Sequence, residues 1–118
     1  MTAKLYYQNI LIGNINNLKS DYPNLSGQFN MILKPKDDIS KQIIEYIKFS
    51  SELAEFYLNT LEIDTNTENI LLQKENLYND LINSNDWRLI NSIGEEVRIL
   101  IPNFDKNGIV TYRFNTDA

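Results

Sequence analysis

Three arginines, Arg88, Arg98 and Arg113, are the residues whose type and spacing first suggest a binding site. Each lies in its own predicted strand, and the alternation in each strand places the arginine away from the main apolar residues. Like charges on neighbouring strands repel each other unless acids or an anion lie between them. One interpretation is a solvated face on which three nearby acids pair with the arginines: Glu95, Glu96 and Asp86. The other is an interface for a partner or a second copy, comprising Arg88, Ile90, Arg98, Leu100 and Arg113.

The middle of the chain supplies a second candidate binding site. Residues 37–86 hold eleven acids and three lysines, so this segment has a net charge of −8, whereas the whole chain has a net charge of −5. Lys41 with Glu45 and Lys48 with Glu52 have the i,i+4 spacing that predicts a charge ladder on a solvated helix face. Several other acids have no partner in this pattern, and two of them, Glu62 and Asp64, lie at the C-terminus of the predicted first helix, where its dipole disfavours anions. An ordinary wet surface would also explain them. We predict a partner-binding surface that comprises Glu45, Glu52, Glu55, Glu62, Asp64 and Glu68.

The side-chain inventory argues against an enzyme. The chain has no cysteine and no histidine, which excludes thiolate and imidazole chemistry and their metal sites. The carboxylate pairs Asp37-Asp38 and Glu95-Glu96 are adjacent in sequence and would not face each other across a substrate. The stretch 64–68 faintly resembles a calcium loop but lacks its glycine, and no phosphate or dinucleotide motif is present. We therefore predict no catalytic residue, no metal site and no cofactor.

Charge and hydropathy restrict the partners. A chain of net charge −5 without a basic stripe is a poor nucleic-acid binder, so we predict no direct contact with nucleic acid. No apolar run approaches the roughly 20 residues that cross a bilayer, which predicts no membrane association. The start, MTAKLYYQNILIG, lacks a small-residue cleavage site and favours a cytoplasmic location. A protein partner remains, with a homodimer as a further option.

The apolar pattern places these candidates on eight elements. Strands are predicted at about 4–8, 10–16 with a bulge at Gly13, and 27–33, separated by a loop around Tyr22-Pro23. A helix at about 38–61 begins at Asp37 or Asp38, and a second at about 67–83 begins with a capping box from Thr65 to Glu68. The second helix has a predicted apolar face at Ile70, Leu71, Leu77, Tyr78, Leu81 and Ile82.

Three further strands follow the helices, at about 87–90, 97–101 and 109–114, with Asn107-Gly108 as a hairpin turn. The order is β-β-β-α-α-β-β-β in one domain, residues 1–118. Strands grouped at both ends of a chain favour an α+β fold, here an antiparallel sheet with a helical pair on one face.

The small size, the missing Cys and His, the acid-rich middle and the many Asn and Ile residues resemble one group of proteins. These are the small acidic bacterial immunity or inhibitor proteins of contact-dependent and polymorphic toxin systems. The segments LYYQNILIGNI and DWRLINSIGEEVRILIP…GIVTYRF are also similar to small bacterial domains of no known function. The first resemblance implies a non-enzymatic antitoxin that binds a toxin domain, such as a nuclease, through an acidic surface. The alternatives are a phage- or defence-related modulator of a nucleic-acid enzyme and a homodimeric interaction domain.

Overall fold

The computed structural model describes residues 2–21, 23–59, 62 and 64–116. Within these residues one antiparallel sheet comprises β1 Thr2–Tyr7, β2 Ile10–Asp21, β3 Asn24–Met31, β4 Trp87–Asn91, β5 Glu96–Arg98, β6 Asn103–Phe104 and β7 Ile109–Tyr112. The helices between β3 and β4 are α1 Asp38–Asn59, α2 Thr65–Glu75 and α3 Asn79–Ile82, with a 3₁₀ turn Asn76–Tyr78 before α3. The predicted α+β class, with strand groups on either side of a helical pair, is confirmed.

The two edges of the sheet meet. The strand order is β5-β4-β1-β2-β3-β7-β6. Directly after β5, Ile99 bridges Phe114, which follows β7. The Leu100 N–H donates to the Arg113 carbonyl at 3.0 Å, and the Asn115 N–H donates to the Arg98 carbonyl at 3.0 Å. The segment 96–104 therefore pairs with β4 on one side and with the β7 segment on the other, so the strands form a closed ring.

The β2–β3 hairpin is longer than predicted, because residues expected to form a loop continue both strands to Asp21 and Asn24. The predicted bulge beside Gly13 is confirmed by a register shift, since Leu5 pairs with Gly13 and Tyr6 with Leu11. A second irregularity lies near Asn17, whose φ is +53°. This irregularity interrupts the alternation of inward and outward side chains, from which the longer β2 strand could have been predicted. Of the predicted Tyr22-Pro23 turn, Tyr22 lies outside the described residues.

The observed bounds of the later strands also differ from the predicted ones. The strand expected at 97–101 is β5 followed by the single bridge at Ile99, and the chain then passes Pro102 before β6 forms. Proline has no N–H to donate to a ladder, which explains the interruption. The third predicted strand ends at Met31 rather than residue 33. The Asn107-Gly108 turn joins β6 to β7 as predicted, with Gly108 at a φ of +80°.

Helix α1 seals one end of the ring. The Tyr46 hydroxyl donates to the Pro102 carbonyl at 2.7 Å. The Ser50 hydroxyl accepts from the Phe104 N–H at 2.8 Å and donates to the Phe104 carbonyl at 3.3 Å. The Trp87 indole, fully buried, donates to the Leu81 carbonyl at 2.9 Å. Every one of these polar groups is buried and paired, so satisfied hydrogen bonds join the helices to the strands at this end of the ring.

Both helix starts use aspartate. For α1 the prediction is confirmed, because Asp37 Oδ1 accepts from the Ser40 N–H at 2.9 Å and Ser40 Oγ accepts from the Asp37 N–H at 3.0 Å. For α2 the predicted capping box at Thr65 is wrong. The cap is Asp64, which accepts from the Asn66 N–H at 3.1 Å and from the Thr67 hydroxyl at 2.7 Å. Residues 60 and 61 of the first predicted helix lie outside the described part of the chain.

The second predicted helix, 67–83, is three pieces rather than one. The 3₁₀ turn separates α2 from α3 and contains the buried Tyr78, with the buried Leu81 three residues later. Tyr78 ends the 3₁₀ turn and Leu81 lies in α3, and side chains three residues apart in helical structure lie on the same face. Tyr78 and Leu81 therefore both enter the core.

Candidate functional site

Helix α2, the 3₁₀ turn after it and the end of α1 carry several exposed apolar side chains. Helix α2 buries only Leu71. Ile70 is 65% exposed and Leu77 in the 3₁₀ turn is 67% exposed, so their predicted place on the inward face is wrong. The physical reason is that Leu71 is the one residue of α2 that is buried in the core, which leaves its apolar neighbours outside. We call the following residues, which are exposed except for the half-buried Glu68, the helical surface: Leu58, Ile70, Leu72 and Leu77 with Glu45, Glu52, Glu55, Glu62, Asp64 and Glu68.

One signal for this surface was present in the sequence. Ile70, Leu71 and Leu72 are consecutive, and successive residues of an α-helix point about 100° apart. Three consecutive apolar side chains therefore cannot all face one core. At least one of them must be exposed in any arrangement that packs a single face.

Two of the predicted acids form ion pairs. Glu52 Oε2 lies 3.2 Å from Lys74 Nζ of α2, and Glu55 Oε1 lies 3.1 Å from Lys106 Nζ in the β6–β7 turn. The predicted charge ladder along α1 is wrong among the described residues, because Glu52 pairs with Lys74 and not with a lysine of its own helix. These pairs are exposed, and each contributes little to stability.

Two further acids have local structural roles. Asp64 caps α2, where its charge favours the helix dipole, so its predicted place at an unfavourable helix end is wrong. Glu68 Oε2 accepts from the Tyr57 hydroxyl at 2.9 Å, and this hydrogen bond raises the pKa of Tyr57. Within the described ranges Glu45 and Glu62 are exposed and make no hydrogen bond or ion pair. They are the predicted acids that remain available to a partner.

Charge and apolar exposure together define what the helical surface can do. Four of the acids lie on α1 or α2, and Glu62 and Asp64 lie between the two helices. The side chains of Leu58, Ile70 and Leu77 are all more than 60% exposed. Exposed apolar groups rimmed by charge are typical of protein–protein contacts. The arrangement offers apolar anchors to a partner together with an electrostatic field that attracts cations.

The arginine face is the outer side of the ring, as predicted. Arg88 and Arg98 lie directly opposite each other in the β4–β5 ladder. The Arg88 guanidinium donates to the Gln8 carbonyl at 3.0 Å, forms an ion pair with Glu96 and lies 4.7 Å from the centre of the Tyr6 ring. The predicted Glu96 pairing is therefore confirmed. The stacking on Tyr6 also covers the apolar face of that ring.

The other two arginines use neutral acceptors. Arg98 donates to the Asn85 carbonyl at 2.8 Å, and Arg113 donates to Asn24 Oδ1 at 2.9 Å. The predicted pairings with Asp86 and Glu95 are wrong, since these acids accept from the Gln8 and Asn91 amides instead. On the second candidate face, Ile90 is half-buried and Leu100 is exposed. The arginines thus have internal structural partners.

The described residues contain no group of three or more acids that could hold a metal ion. None of the helices described is both long and apolar enough to cross a membrane. Comparison of the chain with protein-family models, curated proteins and solved structures found no match.

Proposed function

We propose that this protein is a non-enzymatic inhibitor, an immunity protein that binds a basic toxin domain through the helical surface. The observation that carries the proposal is the exposure of Ile70, Leu72 and Leu77 beside an acidic helix. The segment of α2 and the 3₁₀ turn after it exposes these three apolar side chains to water, which is less favourable than exposing polar ones. A partner that covers those side chains would offset this cost.

The apolar residues would supply the affinity. Fully burying a Leu or Ile side chain contributes roughly 1.5–3 kcal/mol. A few such anchors near the centre of an interface usually carry most of its binding energy. Ile70 and Leu77 lie two helical turns apart, a spacing that suits two neighbouring pockets on a partner.

The acids would supply the association rate and the choice of partner. Residues 37–86 carry a net charge of −8, and a field of that sign steers basic proteins toward the helices. Glu45 and Glu62 need break no internal ion pair to contact a lysine or arginine of the partner. Inhibition by covering an active site, or a surface beside it, requires no catalytic group in the inhibitor.

The direct test uses the purified product of the gene adjacent to the one that encodes this chain. We expect a complex of near one-to-one stoichiometry and the recovery of growth when both proteins are expressed together. A toxic neighbour that forms no complex with this chain, or a complex that leaves its toxicity unchanged, would contradict the proposal.

A charge test then assigns the steering role. Glu62→Lys and Asp21→Lys both change the net charge by two, but only Glu62 belongs to the helical surface. We expect Glu62→Lys to slow association about threefold at low salt, with the effect reduced at high salt. Asp21→Lys, on the β2–β3 hairpin, is the matched control. Equal slowing by both variants would show that net charge alone, and not this surface, governs association.

A further inference from the structure

The strands of the ring form an open pocket at the end away from the helices. Its volume is about 270 Å³, and its walls come from β1, β2, β3, β4, β5 and β7 together with the segments that follow them. No helical residue of the described chain lines it. The apolar lining comprises Ala3, Leu18, Leu25, Leu89, Val97 and Phe114. Phe114 is 43% exposed and Val97 37% exposed, which places both at the mouth.

One polar group lies within this apolar wall. Tyr112 is buried on the inner face of β7 and lines the pocket. Among the described residues its hydroxyl has no hydrogen bond, yet no fully buried side-chain oxygen there lacks one. The hydroxyl is therefore not fully buried, and it belongs to a residue that lines the pocket. Burial of the ring raises the pKa of Tyr112, which keeps the hydroxyl neutral and able to donate.

The charge at the mouth is negative. Glu95 lines the pocket and its carboxylate accepts from the Asn91 amide at 3.3 Å. Lys19 also belongs to the lining. In the β2–β3 ladder it lies directly opposite Ser26, and Ser26 lies between the inward-facing residues Leu25 and Gly27. The Lys19 side chain therefore points to the outer face of the ring. Among the described residues that line the pocket, no inward-pointing cation compensates Glu95 for an anionic ligand.

We propose that this pocket binds a small neutral ligand with an apolar body of about ten carbon atoms and one hydroxyl or carbonyl group that hydrogen-bonds to Tyr112. An apolar cavity of about 150 Å³ holds benzene, so 270 Å³ suits a body of about ten carbons. Pockets in the mouths of closed sheets are a common place for such ligands. This inference is independent of the helical surface, because no residue of that surface lines the pocket.

Straight-chain alcohols from hexanol to dodecanol test the size of the site by calorimetric titration of the intact chain. Each added CH₂ group should tighten binding about fourfold until the pocket is full, near ten carbons, after which the affinity should level off. Decanoate should bind at least about tenfold more weakly than decanol, because of Glu95. Absence of saturable binding, affinity that rises through dodecanol without levelling, or equal binding of decanoate would overturn the proposal.

Three variants locate the site on the molecule. Val97→Phe should narrow the mouth and weaken decanol binding about tenfold, and its exposed position makes unfolding a minor concern. Tyr112→Phe should weaken decanol binding about fivefold, because it removes the hydrogen bond. Tyr7→Phe removes a hydroxyl from the helical end of the same face and should leave binding unchanged. Unchanged binding in Val97→Phe and Tyr112→Phe would show that decanol binds elsewhere, which contradicts the assignment.

Discussion

Helices α1 and α2 follow one another in the chain, yet they differ in how many of their side chains are buried. Among its described side chains α1 buries six, namely Ser40, Ile43, Tyr46, Ile47, Phe49 and Ser50. In α2 only Leu71 is buried, while Ile70 and Leu72 on either side of it are exposed. The first helix therefore stabilises the core and the second mainly presents a surface. Substitutions in α1 should change stability, and substitutions in α2 should change binding.

The largest expected effect is in α1. Ile43→Ala removes a fully buried side chain from the centre of the core and should lower the free energy of unfolding by about 2–5 kcal/mol. Urea denaturation followed by circular dichroism measures this loss. Ile70→Ala makes the same chemical change on α2 and should cost less than about 1 kcal/mol. Equal losses of unfolding free energy in the two variants would show that α2 contributes to the core as much as α1 does.

The next effect concerns the polar contact between α1 and β6. Ser50→Ala leaves the buried Phe104 N–H and carbonyl without their hydrogen-bond partner, at a cost of about 1–3 kcal/mol. Ser51→Ala, at the neighbouring half-buried position, is the control and should cost less than about 0.5 kcal/mol. If both substitutions have the same effect on the urea midpoint, the Ser50 contact does not secure the helix to the ring.

A smaller effect is expected at the start of α1, where it depends on pH. Hydrogen bonds from Ser40 lower the pKa of Asp37 below its ordinary 3.8, so ionised Asp37 stabilises the folded state above about pH 4. This contribution is lost as the pH falls through the folded pKa. Asp37→Ala should lower Tm by about 4 °C at pH 7 and by less at pH 2.5. Asp38→Ala is the control, and a Tm difference in Asp37→Ala that persists unchanged at pH 2.5 would contradict a role for the carboxylate.

The smallest expected change in stability is on the helical surface. Ile70→Asp combined with Leu77→Asp replaces two exposed side chains and should change the free energy of unfolding by less than about 1 kcal/mol. Thermal unfolding at pH 7 checks this. A loss as large as that of Ile43→Ala would mean that α2 belongs to the core, and that its exposed residues are not a surface for a partner.

Local patterns in the sequence predicted much of the fold. Three of these predictions depend only on neighbours within a few residues. They are the Asp37 cap, the bulge at Gly13, and the placement of the arginines on the face of the sheet away from Trp87 and Leu89. Closure of the ring could not be predicted, because the bridge from Ile99 to Phe114 depends on how four other strands twist between them. Only the three-dimensional arrangement brings those two residues together.

The candidate site was predicted less well, for a related reason. The acids Glu52 and Glu55 have partners 22 and 51 residues away, and helical spacing does not reveal such contacts. The predicted inward face of α2 assumed one continuous helix, whereas the 3₁₀ turn changes which side Leu77 and Tyr78 present. Periodicity identifies an apolar residue but does not show whether a core is available to receive it.

The most direct test of the helical surface compares apolar-to-Asp variants at two places in their affinity for the purified product of the adjacent gene. Ile70→Asp with Leu77→Asp alters the helical surface, and Ile93→Asp alters a side chain that is 78% exposed in the β4–β5 turn. We predict that the first weakens binding by at least about a hundredfold and the second by less than about threefold. Equal affinities for the two variants would contradict the claim that α2 is the partner-binding element.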